Sequence, residues 1–269
     1  MYHYLTINDG DIPIAKISSD DDIEYPDSKI ATKLRNCLYV SSSDEYDPKA
    51  PKEYIITKKE TLKPLLTRAD KEGHAQRVFA AGGTLSGKSY LISKLAKDYI
   101  KQFPKNKVIL FSWVNDDENY KEMRNNSHFH KIRIDESILD NPIELSELHD
   151  SVVIFDDIEH FADRDIVHEL ERLRNSCVNA GRHDNIDVLC ARQNLLEGLK
   201  TKTLLNSCFQ VIGFPHSSSR YQLGEWLRRH MFLDKRLINK ILNVPSRWVI
   251  INRAKPSYCL HQKGCFLLT

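Results

Sequence analysis

The chain has no apolar run approaching the ~20 residues of a membrane span. Its first residues, MYHYLTINDGDIP, lack the basic start and apolar stretch of a secretory signal. There is no internal repeat and no long low-complexity tract. The six cysteines (Cys37, Cys177, Cys190, Cys208, Cys259, Cys265) include no C-x-x-C pair and no regular spacing, which excludes a zinc ribbon or a disulfide frame. Several lie in apolar, strand-like runs, so free buried thiols in a reducing, intracellular compartment are expected. Acid is scarce at one end only. Residues 201–269 carry 11 Lys+Arg against 2 Asp+Glu, a net +9 inside a chain whose total is +2. Residues 1–75 carry 11 against 14 and residues 76–200 carry 17 against 21. A basic block of that kind can track a nucleic-acid backbone, or it can be a solvated surface or a subunit contact.

What is present in quantity suits a soluble globular protein. A chain of 269 residues, 41% hydrophobic and 28% charged, can form one α/β domain with additions or two small domains. Residues 1–75 hold short alternating strand candidates, Tyr2–Ile7 and Pro13–Ile17, then an acidic turn at 18–22 and a polar stretch at 41–45. They read as a small β-rich N-terminal appendage. Residues 76–215 alternate strand and helix. Strands are expected at 78–81, 107–112, 132–134, 151–155, 187–191 and 210–214, with helices over 89–102, 117–124 and 165–179. Apolar strands between helices predict a mostly parallel sheet covered by helices on both faces, with ligands at the carboxyl ends of the strands. Residues 216–269 read as basic C-terminal helices, 219–229 and 235–242, and a hairpin of 248–252 with 258–261 about a turn at 254–257.

Gly82-Gly83-Thr84-Leu85-Ser86-Gly87-Lys88-Ser89 fits G-x-x-x-x-G-K-[ST] in full, with a strand before it and a helix opening at Tyr90. The glycines let backbone N–H groups wrap phosphates without a Cβ in the way. Lys88 supplies a point charge to β and γ oxygens, Ser89 a hydroxyl for Mg²⁺, and the helix its N-terminal dipole. The stretch from Gly82 to Tyr90 is therefore the candidate ATP-binding segment. A chance glycine turn is the alternative. Thr84-Leu85 is bulkier than the small residues often found at that place.

The apolar run Ser151–Phe155 ends in Asp156-Asp157. Asp156 suits Mg²⁺ opposite Ser89, and Asp157 suits orienting or deprotonating a water, with Glu159 in reserve. After the strand 187–191, Gln193 can accept from water and donate to phosphate. Arg182, ahead of that strand, is a candidate finger reaching the nucleotide of a neighbouring subunit, with Arg172 and Arg174 as competitors. Ordinary loop or surface roles stay open for Gln193 and the arginines, and His183 reads as structural.

The order GGTLSGKS, VVIFDDIE, GRHDNIDVLCARQN resembles the FtsK–HerA type of P-loop ATPases, most of all the compact genome-packaging ATPases of large double-stranded DNA viruses. The likeness covers roughly residues 76–215. It implies a RecA-like core and a homo-oligomeric ring, hexamer or pentamer, that couples hydrolysis of Mg²⁺-ATP to movement of double-stranded DNA. It also implies a setting in an infected host cell or virion, capsid or portal-vertex proteins as further candidate partners, and no membrane. Lys88, Ser89, Asp156, Asp157, Gln193 and Arg182 take the family's matching places. A basic path from Arg228, Arg229, Lys235, Arg236 and Lys240 would serve the DNA. The competing readings are a P-loop kinase or other nucleotide-dependent transferase, another P-loop ATPase such as a helicase or partition motor, and an interaction protein with a degenerate nucleotide site.

Overall fold

The computed structural model describes residues 3–7, 12–18, 37–39, 53–56, 61–66, 75–114, 117–254 and 257–268. The acidic turn beyond Ser18, the polar stretch 41–45 and the centre of the 254–257 turn fall outside them. The chain divides into two compact units, one of residues 68–211 and one of residues 1–67 with 212–269.

The described residues of the N-terminal segment form β1 (His3–Ile7), β2 (Ile12–Ser18), β3 (Cys37–Tyr39), β4 (Glu53–Ile55) and β5 (Thr61–Pro64). Four of them form a sheet in the order β3-β1-β2-β5, in which β2 runs antiparallel to β1 and β5, and β3 runs parallel to β1. Of the strands expected at 2–7 and 13–17, the described residues form β1 and β2, with Leu5, Ile14 and Ala15 buried.

The unit of residues 68–211 is a parallel α/β layer. Its elements are β6 (Arg77–Ala81), α1 (Lys88–Gln102), β7 (Lys107–Ser112), β8 (Phe129–Lys131), α2 (Ser137–Asp140), β9 (Ser151–Asp156), α3 (Arg164–Ala180), β10 (Ile186–Arg192) and α4 (Leu199–Ser207). The strand order is β6-β10-β9-β7-β8, and the neighbouring pairs β10–β6, β10–β9, β9–β7 and β7–β8 are parallel. Every residue of β9 and β10 is buried, which requires cover on both faces and explains their unbroken apolar runs. Phe111 and Phe155 stack between β7 and β9 with ring centres 5.2 Å apart. Helix α3 starts where Asp163 accepts from the amides of Asp165 and Ile166, and it buries Ile166, Leu170, Leu173 and Val178 as the sequence period requires.

Three local expectations change. The edge strand lies at Phe129–Lys131 and not at 132–134, because the ladder to β7 opens with Val108 donating to His128 and closes with Ile132 donating to Leu110. Residues 118–123 wind as a 3₁₀ turn, capped by Asp117. Helix α4 was not expected from the sequence. It begins after Gly198 in a left-handed conformation and buries little beyond Thr201, Leu204 and Leu205.

Strand β11 (Gln210–Gly213) spans the division between the units. The C-terminal elements are α5 (Arg220–His230), α6 (Lys235–Leu242), β12 (Val249–Asn252), β13 (Tyr258–His261) and β14 (Gly264–Leu267). The hairpin β12–β13 forms as expected, and the unforeseen β14 continues it to β4. A Cβ at Gly264 would lie 2.5 Å from the Tyr54 carbonyl oxygen, so this pairing needs glycine. Cys177, Cys190, Cys208, Cys259 and Cys265 are buried and stand outside any disulfide, as expected. Burial pushes the thiols of Cys177 and Cys190 up to about 12. Among the described residues no helix is long and apolar enough to cross a membrane.

Candidate nucleotide site

The parallel register gathers the chemistry at one edge of the residue 68–211 unit. Ala81 stands opposite Arg192, Ala191 opposite Asp156, and Asp156 opposite Ser112, so β6, β10, β9 and β7 end together. The glycine loop leaves β6 at that edge. Gly82 donates to the Arg192 carbonyl at 3.2 Å, and Ser86 donates to the Gly83 carbonyl at 3.1 Å, closing a tight turn. Gly87 has φ +102°, a conformation that a side chain would resist, and hands the chain to α1. Leu85 takes φ +63° and is 91% exposed. Its bulk therefore projects outward and leaves the inside of the loop to backbone groups. Thr84 and Tyr90 are exposed as well, and Lys94 sits over the Tyr90 ring at 5.4 Å.

Lys88 is buried at the first turn of α1. Its Nζ donates to the Gly82 carbonyl at 2.9 Å and lies 3.7 Å from Asp157 Oδ2. The cation is thus folded across its own loop, beside oxygen atoms, where a phosphate oxygen would satisfy the same charge. Ser89 Oγ donates to Asp156 Oδ1 at 3.2 Å, and Tyr120 OH donates to Asp156 Oδ2 at 3.0 Å. Burial first, and the neighbouring Asp157 charge second, push the Asp156 carboxyl up to about 6, while the two hydroxyls pull the other way. Desolvation, then the Asp156 charge, holds the Tyr120 phenol well above its ordinary range. A hydroxyl and a carboxylate at hydrogen-bond distance beside the glycine loop are the hard oxygen donors that Mg²⁺ takes, so Ser89 and Asp156 fit that ion.

Asp157 directly follows β9 with φ +50°, its amide donating to the Ala191 carbonyl at 3.3 Å. That kink turns its side chain to Lys88. Its Oδ1 is buried without a hydrogen-bond partner. Glu159 and His160 follow on a short 3₁₀ turn, and ligand atoms of Asp157, Glu159 and His160 lie within 4.8 Å of one another. Burial pushes the Glu159 carboxyl up, against the pull of Arg192. The amide nitrogen of Gln193 donates to His160 Nε2 at 3.0 Å, so the expected sensor residue is held at this edge by a histidine the sequence reading passed over.

Arg192 ends β10, directly before Gln193. It is 1% exposed and meets three carboxylates: Glu171 at 2.7 Å, Glu197 at 3.3 Å and Glu159 at 3.5 Å. Arg174 is buried between Glu171 and Asn175, a position from which it presents no guanidinium to a neighbour. Arg172 pairs with Glu169 on its own helix at 2.6 Å. Arg182 is exposed on the turn Gly181–Asp184, 3.4 Å from His183 Nε2, and its charge reaches Arg77 at the start of β6. Structure therefore puts Arg182 at the amino edge of the sheet, away from the loop of its own chain.

The proposed basic path lies in the other unit. Arg228 and Arg229 pair with Glu225 at 2.8 and 2.9 Å, Lys240 pairs with Glu53 at 2.9 Å, and Lys235 and Arg236 are exposed.

No protein-family model matches the chain. It is 29% identical to "Uncharacterized protein V3" of Sputnik virophage over 190 residues, 70% of this chain and 75% of that protein. Among solved structures it is similar to the genome packaging NTPase B204 from Sulfolobus turreted icosahedral virus 2 in complex with AMPPCP. That likeness has a TM-score of 0.45 and 13% identity, over 69% of this chain and 97% of that one. It is also similar to the pCW3 conjugation coupling protein TcpA with ATPgS, with a TM-score of 0.47 and 12% identity, over 84% and 69% of the two chains.

Proposed function

We propose that the protein is an ATPase that uses Mg²⁺-ATP to move double-stranded DNA as a homo-oligomeric ring, and that its task is to package a viral genome. The observation that carries the nucleotide half is the convergence of Lys88, Ser89, Asp156 and Asp157 at one sheet edge, from two segments 67 residues apart. The DNA half rests on the motif order and on the +9 charge of residues 201–269.

In this reading residues 76–215 are the ATPase core, residues 1–75 an appendage, and residues 216–269 the basic part. The loop Gly82–Ser89 wraps the phosphates with backbone N–H groups, and Lys88 turns from the Gly82 carbonyl to the β and γ oxygens. Ser89 and Asp156 would hold Mg²⁺, whose chemistry would be to neutralise negative charge on the phosphates. Asp157 orients the attacking water, and Gln193, steadied by His160, reports on the γ-phosphate. Arg182 acts on the nucleotide of the next subunit. Its work would be done in an infected host cell or virion, alongside capsid or portal-vertex proteins.

The test is ATP hydrolysis with and without long double-stranded DNA, at two salt concentrations and over a range of protein concentration. Stimulation that fades with salt and grows cooperatively with protein is the expected result. Hydrolysis indifferent to DNA and to concentration would turn the assignment to a kinase-like enzyme. Loss of all turnover in Lys88→Ala, with the fold intact, checks the site itself.

A further inference from the structure

Tyr120 belongs to no motif, yet it touches the centre of the site. Its hydroxyl donates to Asp156 Oδ2 at 3.0 Å, while Ser89 holds Oδ1 at 3.2 Å. Both Tyr120 and Asp156 are almost fully shielded from solvent, at 1% and 2% exposure. No bulk water competes for the carboxylate, so the two hydroxyls decide its rotation about a torsion that is otherwise soft. The turn that carries Tyr120 is itself fastened. Asp117 caps it by accepting from Asn119 at 2.8 Å, the Tyr120 ring stacks on Phe129 of β8, and Glu122 pairs with Lys97 of α1. The same helix α1 presents Lys88 and Ser89 from its first turn.

We propose that Tyr120 is a positioning residue for the metal half of the site. By occupying Oδ2 it keeps Oδ1 turned to Ser89, so that the carboxylate is already oriented when a divalent cation arrives. This rests on the reading that Ser89 and Asp156 take Mg²⁺. A merely structural tyrosine would satisfy its hydroxyl on the nearest acceptor and leave metal dependence untouched.

The experiment uses the full chain and the isosteric Tyr120→Phe, with binding of a fluorescent ATP analogue as readout, first in EDTA and then over a Mg²⁺ titration. Affinity in EDTA is expected to stay within about twofold of wild type, while the Mg²⁺ concentration for half of the metal-dependent tightening rises about tenfold, the low end for lost outer-shell support of a metal ligand. Asp156→Asn is run beside it and is expected to lose that tightening altogether. If Tyr120→Phe overlays the wild-type titration while Asp156→Asn does not, the role of Tyr120 is overturned and the metal assignment stands. If Asp156→Asn also overlays wild type, the metal assignment fails, and the proposal with it.

Discussion

The guanidinium of Arg192 donates to the Glu171 carboxylate at 2.7 Å, tying the end of β10 to α3. Glu197 and Glu159 complete the ring around the same cation. A buried arginine with three acids is worth little as a net source of stability, but removing it strands the acids. Arg192→Met is expected to lower stability by about 2–3 kcal/mol, below the usual loss for breaking a buried pair because the three acids retain some solvent. Urea denaturation checks this. Glu171→Gln should cost less, since Arg192 keeps two charged partners; a larger loss there would show that the cation is not the centre of the cluster.

Asp157 is one of five described non-glycine residues with positive φ, and the only one whose side chain meets Lys88. Left-handed backbone tolerates Asp and Asn and resists branching at Cβ. Asp157→Asn should therefore keep wild-type stability within ~0.5 kcal/mol while hydrolysis falls by about 10²-fold or more, a scale seen when one charge-stabilising group is lost from an active site. Asp157→Val should lose the same activity and about 1–2 kcal/mol besides. Thermal denaturation run beside phosphate release separates the two effects, and an active Asp157→Asn would remove the residue from the chemistry.

Arg182 lies at the amino end of β10 and the glycine loop at its carboxyl edge. Seven strand residues at about 3.3 Å each put roughly 20 Å between them, so Arg182 lies out of reach of the loop of its own chain. Arg182→Ala should bind nucleotide as wild type does. Its turnover should fall by about 10³-fold, the low end for a lost arginine finger, and only at concentrations where wild type assembles. A deficit that is the same at every protein concentration would contradict a role between subunits.

His261 is buried among β13, β14 and the Phe266 ring, and burial above all pushes its pKa down to about 4. Glu53 pulls it upward and Lys240 downward. The folded protein keeps the ring neutral where the unfolded chain, with a value near 6.5, would protonate. Between pH 6.5 and about 4 the unfolded state binds more protons, so this contribution is complete above pH 6.5 and is lost as pH falls. It amounts to about 3 kcal/mol at most. Urea midpoints at pH 7 and pH 5 should therefore diverge more for wild type than for His261→Gln; parallel behaviour of the two would show that another group sets the acid limb.

The glycine loop was legible because its geometry is local. A strand, eight residues and a helix start fix where Gly87, Lys88 and Ser89 point, and no distant residue need be known. Asp156 and Asp157 were legible for a related reason, since an apolar run that ends in two acids marks the carboxyl end of a buried strand. Tyr120, His160 and Arg192 carried no such mark. A tyrosine in a polar segment, a histidine after a strand and an arginine ending an apolar run take their meaning from what faces them, and those partners lie 36, 33 and 21 residues away.

Local spacing and apolar periodicity therefore determined the parallel strands, the glycine loop and the acids that face it. Only tertiary structure decided the order β6-β10-β9-β7-β8, which carries Asp156 and Arg192 to the loop, and the closure of β4 on β14. The physical reason is that strand neighbours are chosen by burial of whole faces and by backbone pairing between segments far apart in sequence. A tyrosine hydroxyl or an arginine guanidinium acquires its partner only once that choice is made.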